Sequence, residues 1–186
     1  MQTQREASPG DAAPQVPAPA RRRAVVVLAL VAVTLYVIDQ VTKVIVVRLF
    51  EGEPPRELLG PLLRLYVIRN SGAAFSIAGG QTVILSLVAI AVIVAVVHYA
   101  RRLASRWWAA ALGLLLAGAF GNLTDRIFRA PGLLRGHVVD FLELPHWPIF
   151  NVADMCIVTG GALIVLLSVL SVPFEGRAAS PDGEDG

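Results

Sequence analysis

Four apolar runs, each bordered by polar residues, constrain this chain more than any other feature. They cover roughly residues 24–47, 82–99, 107–124 and 152–172. A helix needs about 20 predominantly apolar residues, at 1.5 Å rise each, to cross the hydrocarbon core of a bilayer. The run Val83–Tyr99 is long and apolar enough to do so. Charged residues make up only 16% of the chain, against about 25% in an ordinary soluble domain. The expected fold is therefore all-α and integral to a membrane, with four transmembrane helices. A formal net charge of +2 is too small to give a nucleic-acid footprint. Cys156 is the only cysteine, which excludes an internal disulfide framework and any multi-cysteine metal site.

The segments around the spans set the topology. Residues 1–20 hold Pro9, Pro14, Pro17 and Pro19 among small and polar residues, and predict a disordered tail. Arg21–Arg23 then lead into an apolar run. Basic residues before such a run can begin a signal peptide, but no Ala-x-Ala-like cleavage site follows. Asp39–Lys43 interrupts, apolar character resumes through Val47, and a retained first span is expected. Trp107 and Trp108 stand where aromatic belt residues stand. Four spans place both termini on one side, together with Arg21–Arg23, Arg101, Arg102 and Arg106. The positive-inside rule makes that side cytoplasmic, giving an N-in, C-in protein. The membrane domain then runs over 21–175, with a cytoplasmic tail at 176–186. Between the first two spans, residues 48–80 carry turn signals at Pro54-Pro55, Gly60-Pro61 and Gly79-Gly80. They flank a strand-like segment, Leu62–Ile68, so a small extracytoplasmic β-cradle is expected there.

This topology gathers the polar residues. Asp39 and Lys43 fall near the outer end of the first span, and Asn122, Asp125 and Arg126 at that of the third. Asn151 and Asp154 fall at the outer start of the fourth, and Asp140 lies in the connection before it. Ionisable residues are costly in a membrane, and by default they mark function. Their convergence at one depth points to a single polar site at the outer boundary.

Two readings of Asp140 and Asp154 stand side by side. Brought within hydrogen-bonding reach, two carboxylates cannot both ionise comfortably; one pKa rises and the pair shares a proton. Such a pair supplies a general base to activate water and a general acid to protonate a leaving amine. Equally, each aspartate can cap a helix, where the helix dipole favours negative charge. The neighbours carry structural readings as well. Asp39 and Lys43, four residues apart, can pair on one helix face. Asp125 and Arg126 can form an interfacial ion pair, and Asn122 and Asn151 can bridge helices. Gly118 and Gly121 suit close helix packing. His98, His137 and His146 lack ligand spacing, Cys156 points to another face of its helix, and no metal is expected. Intramembrane aspartates also mark ion paths, so a small proton or ion transporter is the rival function.

The order of the motifs carries more than any one of them. Asp39-Gln-x-Thr-Lys43, Asn70-x-Gly-Ala-Ala-Phe75, Gly121-Asn-x-x-Asp-Arg126, Val138-Val-Asp-Phe141 and Phe150-Asn-x-Ala-Asp154 together span nearly all of the membrane body. In this the chain resembles the bacterial lipoprotein signal peptidases, also called signal peptidase II. The resemblance implies an aspartyl endopeptidase of the cell membrane, working near the extracytoplasmic face without a cofactor. Such an enzyme removes the signal peptide of a prolipoprotein just before a cysteine bearing a diacylglyceryl group. It further implies Asp140 and Asp154 as the catalytic pair, with Asp125 a supporting residue paired with Arg126. Asn122 and Asn151 would line the site, and Asp39, Lys43, Asn70, Gly72, Gly121 and Ala153 would belong to its surroundings. Implied partners are lipidated precursors, membrane lipids and globomycin-type inhibitors, acting on a monomer. The segment Phe128–Arg135 looks longer than in many relatives, and both tails lie outside the resemblance.

Overall fold

A computed structural model describes residues 18–72 and 81–175. Its elements are helix α1 (Ala18–Phe50), strands β1 (Arg56–Glu57) and β2 (Arg64–Asn70), helices α2 (Gln81–Tyr99) and α3 (Arg106–Phe128), strand β3 (Val138–Glu143) and helix α4 (Val152–Val169). All four helices are long and apolar enough to cross a membrane. Their outward faces are oily: Leu30, Val33, Ile84, Val94, Val158 and Val165 are exposed, as a lipid-facing surface requires. With 33 residues, α1 is about 50 Å long, well beyond the bilayer core. Residues 18–20, expected in a disordered tail, are therefore its first turn, and residues 48–50, expected in the cradle, are its last. The rest of that tail (1–17), the end of the cradle (73–80, with Ala73–Phe75 of the Asn70 motif) and the tail at 176–186 lie outside the described residues.

Helix α3 is the axis of the bundle and packs against the other three helices. It can do so because it is lined with small residues, among them Ala109, Ala111, Gly113, Ala117, Gly118 and Gly121, all buried. Close backbone approach of this kind is how helices associate where lipid removes the hydrophobic drive. A Cβ on Gly118 would collide with the backbone oxygen of Ala153 and the side chain of Ile157 on α4. Helix α3 also runs a turn further than its apolar stretch, to Phe128, so Asp125 and Arg126 are held on a regular helical face.

At one end of the bundle Ala24, Leu28, Leu103, Ala109 and Leu112 form an apolar cluster with Trp108 and Phe174. The Trp108 indole N–H donates to the Val172 carbonyl at 2.9 Å. Arg22, Arg23 and Arg106 line one cavity at this same end. At the other end stands an antiparallel sheet in the order β1-β2-β3. Only its middle strand is expected from the sequence, over Leu62–Ile68, and it lies two residues later, at Arg64–Asn70. Strands β1 and β3 are not expected, and Val138–Glu143 comes from the α3–α4 connection and pairs Ile68 with Asp140 and Asn70 with Val138. The cradle is thus built from two connections, not one. Its core is Val46, Val67, Val139 and Phe141, with Val47 and Phe50 of α1 packed against them.

Candidate active site

The site grows from a single buried cation. Lys43 on α1 has no exposed side-chain surface, and its Nζ lies 2.9 Å from Asp39 Oδ2 and 3.0 Å from Asp125 Oδ2. Both aspartates are 1% exposed. The Asp39–Lys43 pairing follows from i,i+4 spacing on one helix face; Asp125 reaches it across the α1–α3 contact. A buried charge must be paired and hydrogen-bonded, and here each partner is tied further. Asp39 Oδ1 accepts the Ala153 backbone N–H at 2.9 Å, and Asp125 Oδ2 accepts that of Val139 at 3.2 Å. The ionic cluster therefore fixes the starts of α4 and β3 against α1 and α3. Gln40 adds donors to Asp39 Oδ2 (3.0 Å) and to the Gly121 carbonyl (3.1 Å).

Above it lie the two carboxylates singled out in the sequence. Asp140, buried on β3, accepts from Asn151 Nδ2 through Oδ1 at 2.6 Å and from Asn70 Nδ2 through Oδ2 at 2.7 Å. Asp154, in the first turn of α4, accepts from Asn122 Nδ2 through Oδ1 at 2.7 Å and from the Asn151 backbone N–H through Oδ2 at 3.2 Å. All four carboxylate oxygens thus take one N–H each, and the two residues are linked through Asn151 and Asn122, which are 3.2 Å apart. The helix-cap reading holds for one of them: Asn151 and Asp154 form a reciprocal capping box on α4. Asp140 caps nothing; it sits within a strand. Burial raises its pKa to about 6, with the Asn70 hydrogen bond opposing and the charge of Asp154 adding to the rise.

The remaining expected residues fall as follows. Gly72, with φ of +86°, turns its backbone N–H onto Asn70 Oδ1 at 2.8 Å and so aims the Asn70 amide. Gly121 leaves room for Asp39, whose carboxylate occupies the space a Cβ would take. Ala153, fully buried, gives its N–H to Asp39. The pairing of Asp125 with Arg126 does not form. Asp125 instead pairs with Lys43 and with Arg129 one turn on, because i,i+4 residues share a helix face and adjacent ones do not. Arg126 makes its bond through Nη1 to the Asn122 carbonyl at 3.3 Å, and its buried Nε has no partner among the described residues. Arg129 and Gln40 also belong to the cluster, Gln40 as the second residue of the Asp39-Gln-x-Thr-Lys43 motif, though neither is given a role by the sequence. The Asp125–Arg129 spacing was the available signal, hidden because Arg129 falls in the segment set aside as a departure. Among the described residues no group of three or more His, Cys, Asp or Glu side chains could hold a metal ion.

The fold and site together define an integral membrane protein with a paired-carboxylate centre at one end of a four-helix bundle. Comparison with known proteins makes the class specific. The family model for signal peptidase (SPase) II matches residues 31–170, and the chain belongs to that family. It is 48% identical to the lipoprotein signal peptidase of Mycolicibacterium smegmatis over 96% of this chain and 74% of the relative. It is likewise 48% identical to that of Mycobacterium tuberculosis over 93% and 85%. Among solved structures, a bacterial membrane enzyme determined by the in meso method at 1.9 Å matches with a TM-score of 0.68 at 32% identity, covering 78% of this chain and 94% of that one.

Proposed function

We propose that this protein is an aspartyl endopeptidase that cleaves the signal peptide from diacylglyceryl-modified prolipoproteins, on the N-terminal side of the lipidated cysteine. The observation that carries the aspartyl mechanism is the bridged pair: Asp140 and Asp154 joined through two amides, with Asp140 lifted to about 6. With every carboxylate oxygen already accepting one N–H, the lone pairs left over are those available to a shared proton and a water. The ionised aspartate removes a proton from that water, whose oxygen attacks the scissile carbonyl carbon. The protonated aspartate donates a hydrogen bond to the developing oxyanion. As the tetrahedral species collapses the C–N bond breaks, a proton passes from the dyad to the leaving amine, and a new carboxylate and amine result.

The rest of the reading follows from the membrane. Arginines at the opposite end orient the bundle N-in and C-in, with the aspartates near the extracytoplasmic face of the cell membrane. The acyl chains of a substrate remain among lipid tails while its peptide enters the polar layer. Asn122, Asn151 and Arg126 position the peptide and the pair, and globomycin-type inhibitors bind in the same place. The protein works as a monomer, with 21–175 as its catalytic body. An ion path is disfavoured because no Asp or Glu occurs in the four helices between this cluster and the arginine end.

The test is cleavage of a diacylglyceryl-modified precursor by purified protein. Asp140→Asn and Asp154→Asn should each lose at least about 10²–10⁴-fold in kcat while remaining folded, and Asp125→Asn should lose less. Cleavage near the wild-type rate by either of the first two would refute the dyad.

A further inference from the structure

An asparagine amide is ambiguous as a ligand: one end accepts and the other donates. Three such amides face the aspartates here, and each must present its NH₂ end if Asp140 and Asp154 are to be held as acceptors. Two are oriented by the backbone. Asn70 Oδ1 is occupied by the Gly72 N–H, and Asn151 Oδ1 by the Asp154 N–H at 3.0 Å. Neither donor can reverse its role, so each NH₂ is turned to the carboxylate side. Asn122 has no backbone donor on its oxygen. Its Oδ1 instead receives Lys43 Nζ at 3.1 Å, together with Asn151 Nδ2 at 3.2 Å.

We infer that Lys43 is a positioning residue for cleavage: as a buried ammonium paired with two carboxylates, it offers Asn122 a donor and locks that amide with its NH₂ toward Asp154. An ammonium has three donors and no acceptor, so the flipped amide would set NH₂ against NH₃⁺. Asp39 and Asp125 use the other two ammonium hydrogens and hold the lysine on station. The chain of cause runs from two structural carboxylates, through one lysine and one amide, to one member of the pair. This inference rests on the peptidase reading above.

A bland alternative exists: Lys43 only balances the buried charge of Asp39 and Asp125. Lys43→Met alone does not separate the two, since it leaves two buried carboxylates facing each other and can fail to fold. Two charge-matched variants do: Lys43→Met with Asp125→Asn, and Lys43→Gln with Asp125→Asn. They carry the same net charge and differ in whether residue 43 has an N–H for Asn122. The acceptor Asp39 beside it would turn the glutamine amide so that its NH₂ faces the cluster. The assay is kcat and KM for a diacylglyceryl-modified precursor peptide in mixed micelles, with thermal unfolding as the check on folding and Asp140→Asn as control. The methionine variant should lose about 100-fold in kcat, the scale of a misplaced catalytic group, with KM within about threefold. The glutamine variant should recover about tenfold of that loss at equal thermal stability. Equal kcat for the two, high or low, overturns the inference. Wild-type cleavage by Asp140→Asn would instead overturn the dyad itself, so the two failures are told apart.

Discussion

Two ion-pair clusters stand close together in this molecule, with similar geometry and opposite surroundings. Inside the bundle, Lys43 bridges Asp39 and Asp125 at 2.9 and 3.0 Å with at most 1% of any of these side chains exposed. At the rim, Arg69 of β2 clasps Glu51, the residue after α1, through two bonds of 2.6 and 2.9 Å. There 35% and 40% of the side chains are open. Distance does not distinguish the two; solvent does. A charge stripped of water depends on its partners alone, so removing one partner strands the other. A charge at the rim exchanges a partner for water at little cost. The interior cluster therefore organises three helices and a strand, while the rim clamp only fastens the end of α1 to the sheet.

The sharpest way to break this contrast is Asp125→Ala. It leaves Lys43 with one carboxylate and Arg129 with none, and should cost about 3–5 kcal/mol. Thermal unfolding in lipid–detergent micelles, beside Glu51→Gln under the same conditions, measures it. Equal losses for the two variants would mean that burial does not decide what these pairs are worth.

A smaller effect sharpens the contrast through pH. Asp140, with a folded pKa of about 6 against about 3.9 unfolded, holds its proton more tightly when folded. Its contribution is therefore fully present below about 4 and is lost as pH rises through about 6. That loss is on the order of 1–3 kcal/mol. The unfolding temperature of the wild type, minus that of Asp140→Asn, should fall between pH 5 and 7. A flat difference would mean that the carboxyl at the heart of the site is not strained by its burial.

Much of this was legible in the sequence, and the reasons for what was not are specific. The apolar runs announced the four helices because only a helix satisfies its own backbone in lipid. The convergence of Asp39, Lys43, Asn122, Asp125, Asn151 and Asp154 followed from alternating span direction. Strand β3 was missed because Val138–Glu143 is short and its partner, β2, lies about seventy residues away; pairing over that distance leaves no local pattern. The Asp125–Arg126 pair that the resemblance implied does not form, because neighbouring residues point to different faces of a helix and the helical repeat brings Asp125 to Arg129 instead. The orientation of the Asn122 amide was beyond reach altogether, since it depends on which atom of which neighbour faces it.

The smallest expected effect is at the rim, and its sign is opposite to that of Asp140. The Arg69 hydrogen bonds hold Glu51 below the ordinary carboxylate range, so its contribution is present at neutral pH and is lost as pH falls below about 4.5 toward its depressed folded value. Solvent screening limits it to less than about 1 kcal/mol. Glu51→Gln should lower the unfolding temperature slightly at low salt, and the difference should vanish near 1 M salt, where the screening length is about 3 Å. Cleavage should be unchanged. Arg69 precedes Asn70, which holds Asp140, so a fall in kcat without a matching loss of stability would mean that the clamp sets the register of β2. Asn70, however, is aimed by the Gly72 N–H and by pairing with Val138, neither of which involves Glu51. The position of the amide is thus fixed from within the sheet, and the clamp can open without moving it.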